Sequence, residues 1–311
     1  MVRSLKYNIK YKIISSGGSI KYHINPSEIS EEIINRNRES NLEMIEKINK
    51  IMELESVQIQ KLNRQLSSFV IESTTRIDQS HDYFHMLKVL LNSLDILDHD
   101  YYGHPHYVEL KKIVITVAWL HDVRDYKYEA ESITEEQMLR KIYSISLNFF
   151  KSETDEAIFG ESDYIIPANQ IIKIVDYISF SKEDKRRKET PLRVEPIDKL
   201  NGISLIALHV VADADRLEAL GKVGIERCFE YGRIKLGNPN PNRVILQLYR
   251  KELRLLEEGF LKTKRGYELA KPLHKEMLEW VKNTVKHDPT IETWVQEELR
   301  KSGLIHLYRE Y

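Results

Sequence analysis

Three stretches place histidines and aspartates inside otherwise apolar, helix-patterned sequence. They are "SHDYFHMLKV" (Ser80 to Val89), "WLHDVRDYKY" (Trp119 to Tyr128) and "ADADRLEAL" (Ala212 to Leu220). His81 and His85 are four residues apart, which puts them on one face of a helix. His121 and Asp122 are adjacent where an apolar run stops, and Asp125 follows three residues later. Ionisable side chains in such surroundings are rarely buried without a partner or a metal. Two imidazoles and two carboxylates drawn from three helices make a mixed nitrogen and oxygen site. Such a set suits Mn, Fe, Co, Ni or Zn, and suits Mg less.

Helical geometry constrains which of these groups can meet. Neighbouring residues point about 100° apart, so His121 and Asp122 reach one ion together only at a helix end or distortion. Asp213 and Asp215 point nearly opposite ways, so only one readily faces the ion, and periodicity does not choose between them. The doublet alone reads as a hydrogen-bonded core pair; the gathering of three stretches is what implicates a metal. His99, His104 and His106, in "LDHDYYGHPHYVEL", sit by a Gly/Pro loop and are expected to be solvated. Cys228 is expected to be a packed core thiol.

These groups need elements to hold them. From about Phe69 the pattern is helix after helix, with "HYVELKKIVITVAWLHDV" the most apolar. A polar stretch at 181–201 breaks the pattern, and its basic run "KEDKRRK" is expected to be a solvated loop. The N-terminus differs. "LKYNIKYKII" and "IKYHI" alternate apolar and polar residues around "SSGGS", which predicts a β-hairpin. Helical spacing of Ile29, Ile33, Ile34, Ile45, Ile48 and Met52 then predicts one long helix or two shorter ones. It is expected to lie on the domain surface, and a homodimeric coiled coil is the other reading. The fold class is therefore all-α, with an N-terminal hairpin and helix extension at 1–70 and a domain at 71–311.

The chain of 311 residues, 41% of them hydrophobic, has material for a sizeable core. Its 47 basic and 48 acidic residues nearly cancel, so no global pull toward nucleic acid or a membrane is expected. The single cysteine rules out a disulfide framework within the chain and fits a reducing compartment. No apolar run approaches the ~18 residues of a membrane span, and no signal-peptide pattern opens the sequence. A soluble, cytoplasmic protein is expected.

The series "HMLKV", "LHDVRD" and "ADADRLEAL" resembles the HD-domain metal-dependent phosphohydrolases, whose pattern is a first His, a His-Asp doublet and a distal Asp. It is most similar to a bacterial-type subgroup with segments like "LHDVxDxKY" and "DADRLEALGxxGIxR". The resemblance spans roughly residues 77 to 282 and includes "TKRGYELAKPLHKEML". It implies an HD helical bundle and a divalent metal held by His85, His121, Asp122 and Asp215, leaving Asp213 to cap a helix or support the ligands. It also implies that Asp125 positions or activates water, a plain helix-end salt bridge being the other reading. Lys88, Lys127 and Arg216 lie beside the motifs and are expected to hold phosphate oxygens, Lys127 and Arg216 either stabilising charge during catalysis or simply neutralising carboxylates. His81 is expected to bind substrate, to pack or to support the ligands. Two departures stand out. Lys88 replaces the usual Arg after the first His, and Ile178 occupies a position where the subgroup often has His.

Two functions follow as expectations. The first is a metal-dependent phosphohydrolase cleaving a phosphate ester or anhydride of a small molecule, with a nucleotide expected (triphosphate diphosphatase or nucleotidase). The second is a catalytically silent, metal-bound HD scaffold that binds partners through its N-terminal extension.

Overall fold

The structure is a computed structural model. It describes residues 14–16, 19–35, 37–74, 82–123, 140, 142–144, 146, 162–189, 199–200, 202–237 and 240–308, some by backbone alone. A short antiparallel pair opens them, β1 (Ile14–Ser16) with β2 (Ser19–Lys21), Ser15 opposite Ile20. The rest of the expected hairpin, residues 5–13, lies outside the described residues, as do His81, Asp125 and Lys127.

Helices α1 (Glu31–Asn35), α2 (Arg38–Glu53) and α3 (Val57–Thr74) follow, so the expected one or two helices are three segments. Asn41 bridges the first two by donating to the carbonyls of Ile33 and Ile34. The extension and the domain share one hydrophobic core. It runs from Ile24 through Leu62, Leu66 and Val70 of α3 to Leu307.

Three helices form the centre: α4 (Tyr83–Tyr101), α5 (Tyr107–Leu120) and, beyond α6 (Ser162–Tyr177) and α7 (Phe180–Glu189), α8 (Gly202–Leu217). Helices α4, α5 and α8 pack on one another, and α3 covers α5. Their apolar faces explain it: Ile113, Val114, Val117, Ala118 and Leu120 of α5 are buried, as are Val210, Val211 and Ala214 of α8. An all-round apolar helix such as α5 belongs in an interior.

Helix α7 corrects one expectation. The basic run at 182–188 is helical, and its one buried residue, Glu183, draws it onto the body of the protein. The chain continues through α9 (Gly221–Leu236), α10 (Pro241–Gln247), a π-turn (Leu248–Glu252) and α11 (Arg254–Glu257). It closes with α12 (Lys264–His287) and α13 (Pro289–Lys301). Among the described residues, no helix is long and apolar enough to cross a membrane.

Candidate metal centre

His85 sits in the first turn of α4, and its backbone is held there by Asp82. The Asp82 carboxylate caps the helix, accepting from the N–H of Phe84 at 2.9 Å and of His85 at 3.2 Å. This satisfies donors that an α-helix start otherwise leaves unpaired. Asp82 was not singled out in the sequence, although an Asp three residues before a helical His is a recognisable cap signal.

His121 stands just past the last residue of α5. The two residues of the doublet thus occur at a helix end, where their side chains can converge. His121 Nδ1 lies 2.9 Å from the carbonyl oxygen of Ala118, one of the acceptors that a helix C-terminus leaves open. Donation by Nδ1–H to that carbonyl puts the lone pair on Nε2, the tautomer a metal requires.

The third helix supplies Asp215 from the last turn of α8. Four side chains then converge. His85 Nε2 is 3.3 Å from His121 Nε2, 3.3 Å from Asp122 Oδ2 and 3.4 Å from Asp215 Oδ1. His121 Nε2 is 3.6 Å from Asp122 Oδ2 and 3.9 Å from Asp215 Oδ1. Donors placed tetrahedrally at about 2.1 Å from one ion stand about 3.4 Å from each other. His85, His121 and Asp122 have the donor atoms and the spacing to hold a divalent cation, and Asp215 faces both imidazoles. Both imidazoles are buried, and the two carboxylates keep partial access to solvent.

The electrostatics agree. Burial opposes charge on His85, yet Asp122 and Asp215 bond to its ring and raise it to about 9. Burial likewise opposes ionisation of Asp215, but His85 and His121 hold its carboxyl at about 2. Two carboxylates facing two imidazoles present negative charge where an ion would sit.

The structure separates Asp213 from Asp215. Asp213 is fully buried and faces away, toward the start of α12. Its Oδ2 accepts from the N–H of Lys262 (2.8 Å) and of Thr263 (2.7 Å), and from Thr263 Oγ1 (2.7 Å). Burial pushes its carboxyl above the usual range, against the pull of Arg216 and these donors. Gly266 is required for this approach, since a Cβ there would stand 2.5 Å from Thr263 Oγ1 and 2.9 Å from Asp213 Oδ2.

The expected phosphate-binding cations have other neighbours. Arg216 is buried; its Nη2 donates to Glu183 Oε2 at 2.5 Å and its Nη1 to the Phe260 carbonyl at 2.6 Å. Lys88, one turn along α4 from His85, lies 3.6 Å from Glu218 and stays about one-third exposed. His99 lies 2.7 Å from Asp100 Oδ1, and the His104 and His106 rings are tilted at 50° to each other with centroids 6.0 Å apart. Cys228 is partly buried and packs against the core, where burial pushes its thiol up to about 12 and makes it a poor nucleophile.

No family model matches the chain. It is 28% identical over 235 residues to the uncharacterized protein YpgQ of Bacillus subtilis, covering 75% of this chain and 96% of YpgQ. It is 27% identical over 158 residues to the uncharacterized protein L803 of Acanthamoeba polyphaga mimivirus, covering 50% of this chain and 55% of L803. The crystal structure of B. subtilis YpgQ in complex with ADP overlays at a TM-score of 0.51, with 24% identity, covering 76% of this chain and all of that one. The fold is shared with YpgQ.

Proposed function

We propose that this chain is a divalent-metal-dependent phosphohydrolase of the HD type, acting on a phosphate ester or anhydride of a nucleotide. The observation that carries this reading is the cluster of His85, His121 and Asp122 donor atoms, joined by Asp215, whose Oδ1 lies 3.4 Å from His85 Nε2 and 3.9 Å from His121 Nε2. The resemblance of their motifs to HD phosphohydrolases supports the reaction class. The ADP bound to YpgQ supports a nucleotide as the substrate.

His85, His121, Asp122 and Asp215 would hold the ion. Once bound, it would supply Lewis acidity toward a phosphoryl oxygen and bring water into the nucleophilic range near neutral pH. Donation by His121 Nδ1–H to the Ala118 carbonyl would leave Nε2 to ligate. Asp125, three residues beyond Asp122, would orient the attacking water and take its proton. Lys88 and Lys127 would take phosphate charge, with His81 on the substrate side. Arg216 has both terminal nitrogens engaged elsewhere, so its part in charge stabilisation is indirect.

The test is metal analysis of the purified protein beside a phosphate-release screen. Nucleoside mono-, di- and triphosphates would be offered with Mn, Co, Ni, Fe, Zn and Mg. About one ion per chain with release that Asp122→Ala abolishes is the expected result. An ion without turnover on any phosphate would instead identify a metal-bound scaffold. No ion under any condition would overturn the reading.

A further inference from the structure

We infer that Glu183 is a positioning residue for Asp215, acting through Arg216; the inference rests on the metal-centre reading above. Asp215 lies in the last turn of α8, where the hydrogen bonding tightens to three-residue steps. Glu218 N–H donates to the Asp215 carbonyl at 3.1 Å and Ala219 N–H to that of Arg216 at 3.1 Å. Such an end frays unless it is held from outside.

Two anchors hold it, three residues apart on one face. Asp213 grips the start of α12. Arg216 reaches Glu183 of α7 and the Phe260 carbonyl. Asp215 projects from a different face, toward His85. The anchors therefore set the roll of the helix about its axis. A roll of about 10° would move an oxygen roughly 6 Å off that axis by about 1 Å. Metal–ligand distances tolerate about ±0.2 Å, so the anchoring face decides whether Asp215 meets the ion.

Glu183 is itself fixed. Its Oε1 accepts from Arg187 Nε (3.0 Å) and Nη2 (2.7 Å), and Lys262 Nζ stands 3.7 Å away. Arg187 goes on to the carbonyls of Glu258 (2.7 Å) and Gly259 (2.8 Å) and lies 3.7 Å over the Phe260 ring. The carboxylate thus ties three parts of the chain to the tip of α8: helix α7, the turn at 258–260 and Lys262. A guanidinium with this set of partners is a strut. To clamp a phosphate, it would have to give up the bond to Glu183 Oε2 and leave that buried oxygen without its donor.

The test uses the full-length protein with Co2+ as probe. Affinity would be read by chelator competition and ligand geometry by visible absorption, at a temperature where circular dichroism shows every variant folded. Glu183→Gln and Arg216→Lys should each weaken Co2+ binding about tenfold or more and alter the visible band. The double variant should be no worse than the weaker single. Wild-type affinity and spectrum in both singles, whatever their thermal stability, would overturn the inference and leave the metal centre standing. Should Glu183→Gln not fold, Arg216→Lys decides alone: weakened binding supports the inference and unchanged binding overturns it. A wild-type chain that takes up no Co2+ would overturn the metal-centre reading and this inference with it.

Discussion

On the histidine side of the centre, neutral hydrogen bonds from α3 form the backing. Trp119, two residues before His121, donates its indole N–H to Asn63 Oδ1 at 2.8 Å. Tyr83, two residues before His85, shares a 2.9 Å hydroxyl bond with Ser67. Asn63 and Ser67 are four apart on one face of α3, and the Tyr83 and Trp119 rings pack at 5.3 Å. On the aspartate side the backing is ionic: Asp213, Arg216, Glu183 and Arg187, buried or nearly so. The difference follows from what each side carries. The histidines need shape and a fixed tautomer, which packed aromatic rings and a helix carbonyl provide. The tip of α8 carries charge in the interior, and buried charge is tolerable only when paired and hydrogen-bonded.

The centre itself is where the halves meet, so the largest effect is expected there. If the proposed reading holds, Asp122→Ala should abolish both metal uptake and phosphate release, read by elemental analysis and a phosphate assay. It should leave the helical circular dichroism in place.

On the ionic side, Asp213→Ala would strip three donors of their acceptor and leave Arg216 with one carboxylate fewer. A loss of about 3–5 kcal/mol is expected in urea unfolding, the range for breaking a buried charged network. A loss under 1 kcal/mol would show that α12 does not depend on this anchor.

Glu183→Gln should cost about 3 kcal/mol at neutral pH, and its pH dependence sharpens the comparison. Burial alone would raise the Glu183 carboxyl, yet Arg216, Arg187 and Lys262 hold it below 4.5. A depressed carboxylate contributes stability that is present above its unfolded value and lost as pH falls through its folded value. The gap between wild type and Glu183→Gln should therefore shrink below pH 4.5. A gap that stays constant into acid would contradict the ionic account.

The neutral side should behave differently. Asn63→Leu leaves the Trp119 indole N–H buried without an acceptor and should cost about 1–3 kcal/mol. That cost should be unchanged across the acid range where the Glu183 effect fades. Ser67→Ala should be the smallest, about 1 kcal/mol. Adding Tyr83→Phe should recover part of it, because both ends of the bond are then gone.

The gathering of His85, His121, Asp122 and Asp215 was legible in the sequence where it depends on local geometry. The apolar run of α5 ends at Leu120, so the doublet had to lie at a helix end. The opposite projection of Asp213 and Asp215 meant that one of them would face elsewhere. The backing was not legible. Nothing near Asn63 announces a partner 56 residues away in Trp119. The run "KEDKRRK" reads as solvated because a single buried residue in a charged helix leaves almost no periodic trace.

Arg216 marks the boundary between the two kinds of information. Its place beside Asp215 and its guanidinium were set by sequence, and they left it open as a phosphate clamp or as a partner for carboxylates. Its partners, Glu183 and the Phe260 carbonyl, lie 33 and 44 residues away. Residue types and helical period determine which groups can share a face, because those depend on bonds within one turn. Which face meets which is decided only when α3, α7 and α12 pack around α4, α5 and α8. The long-range hydrogen bonds that set the geometry of the centre form only at that point.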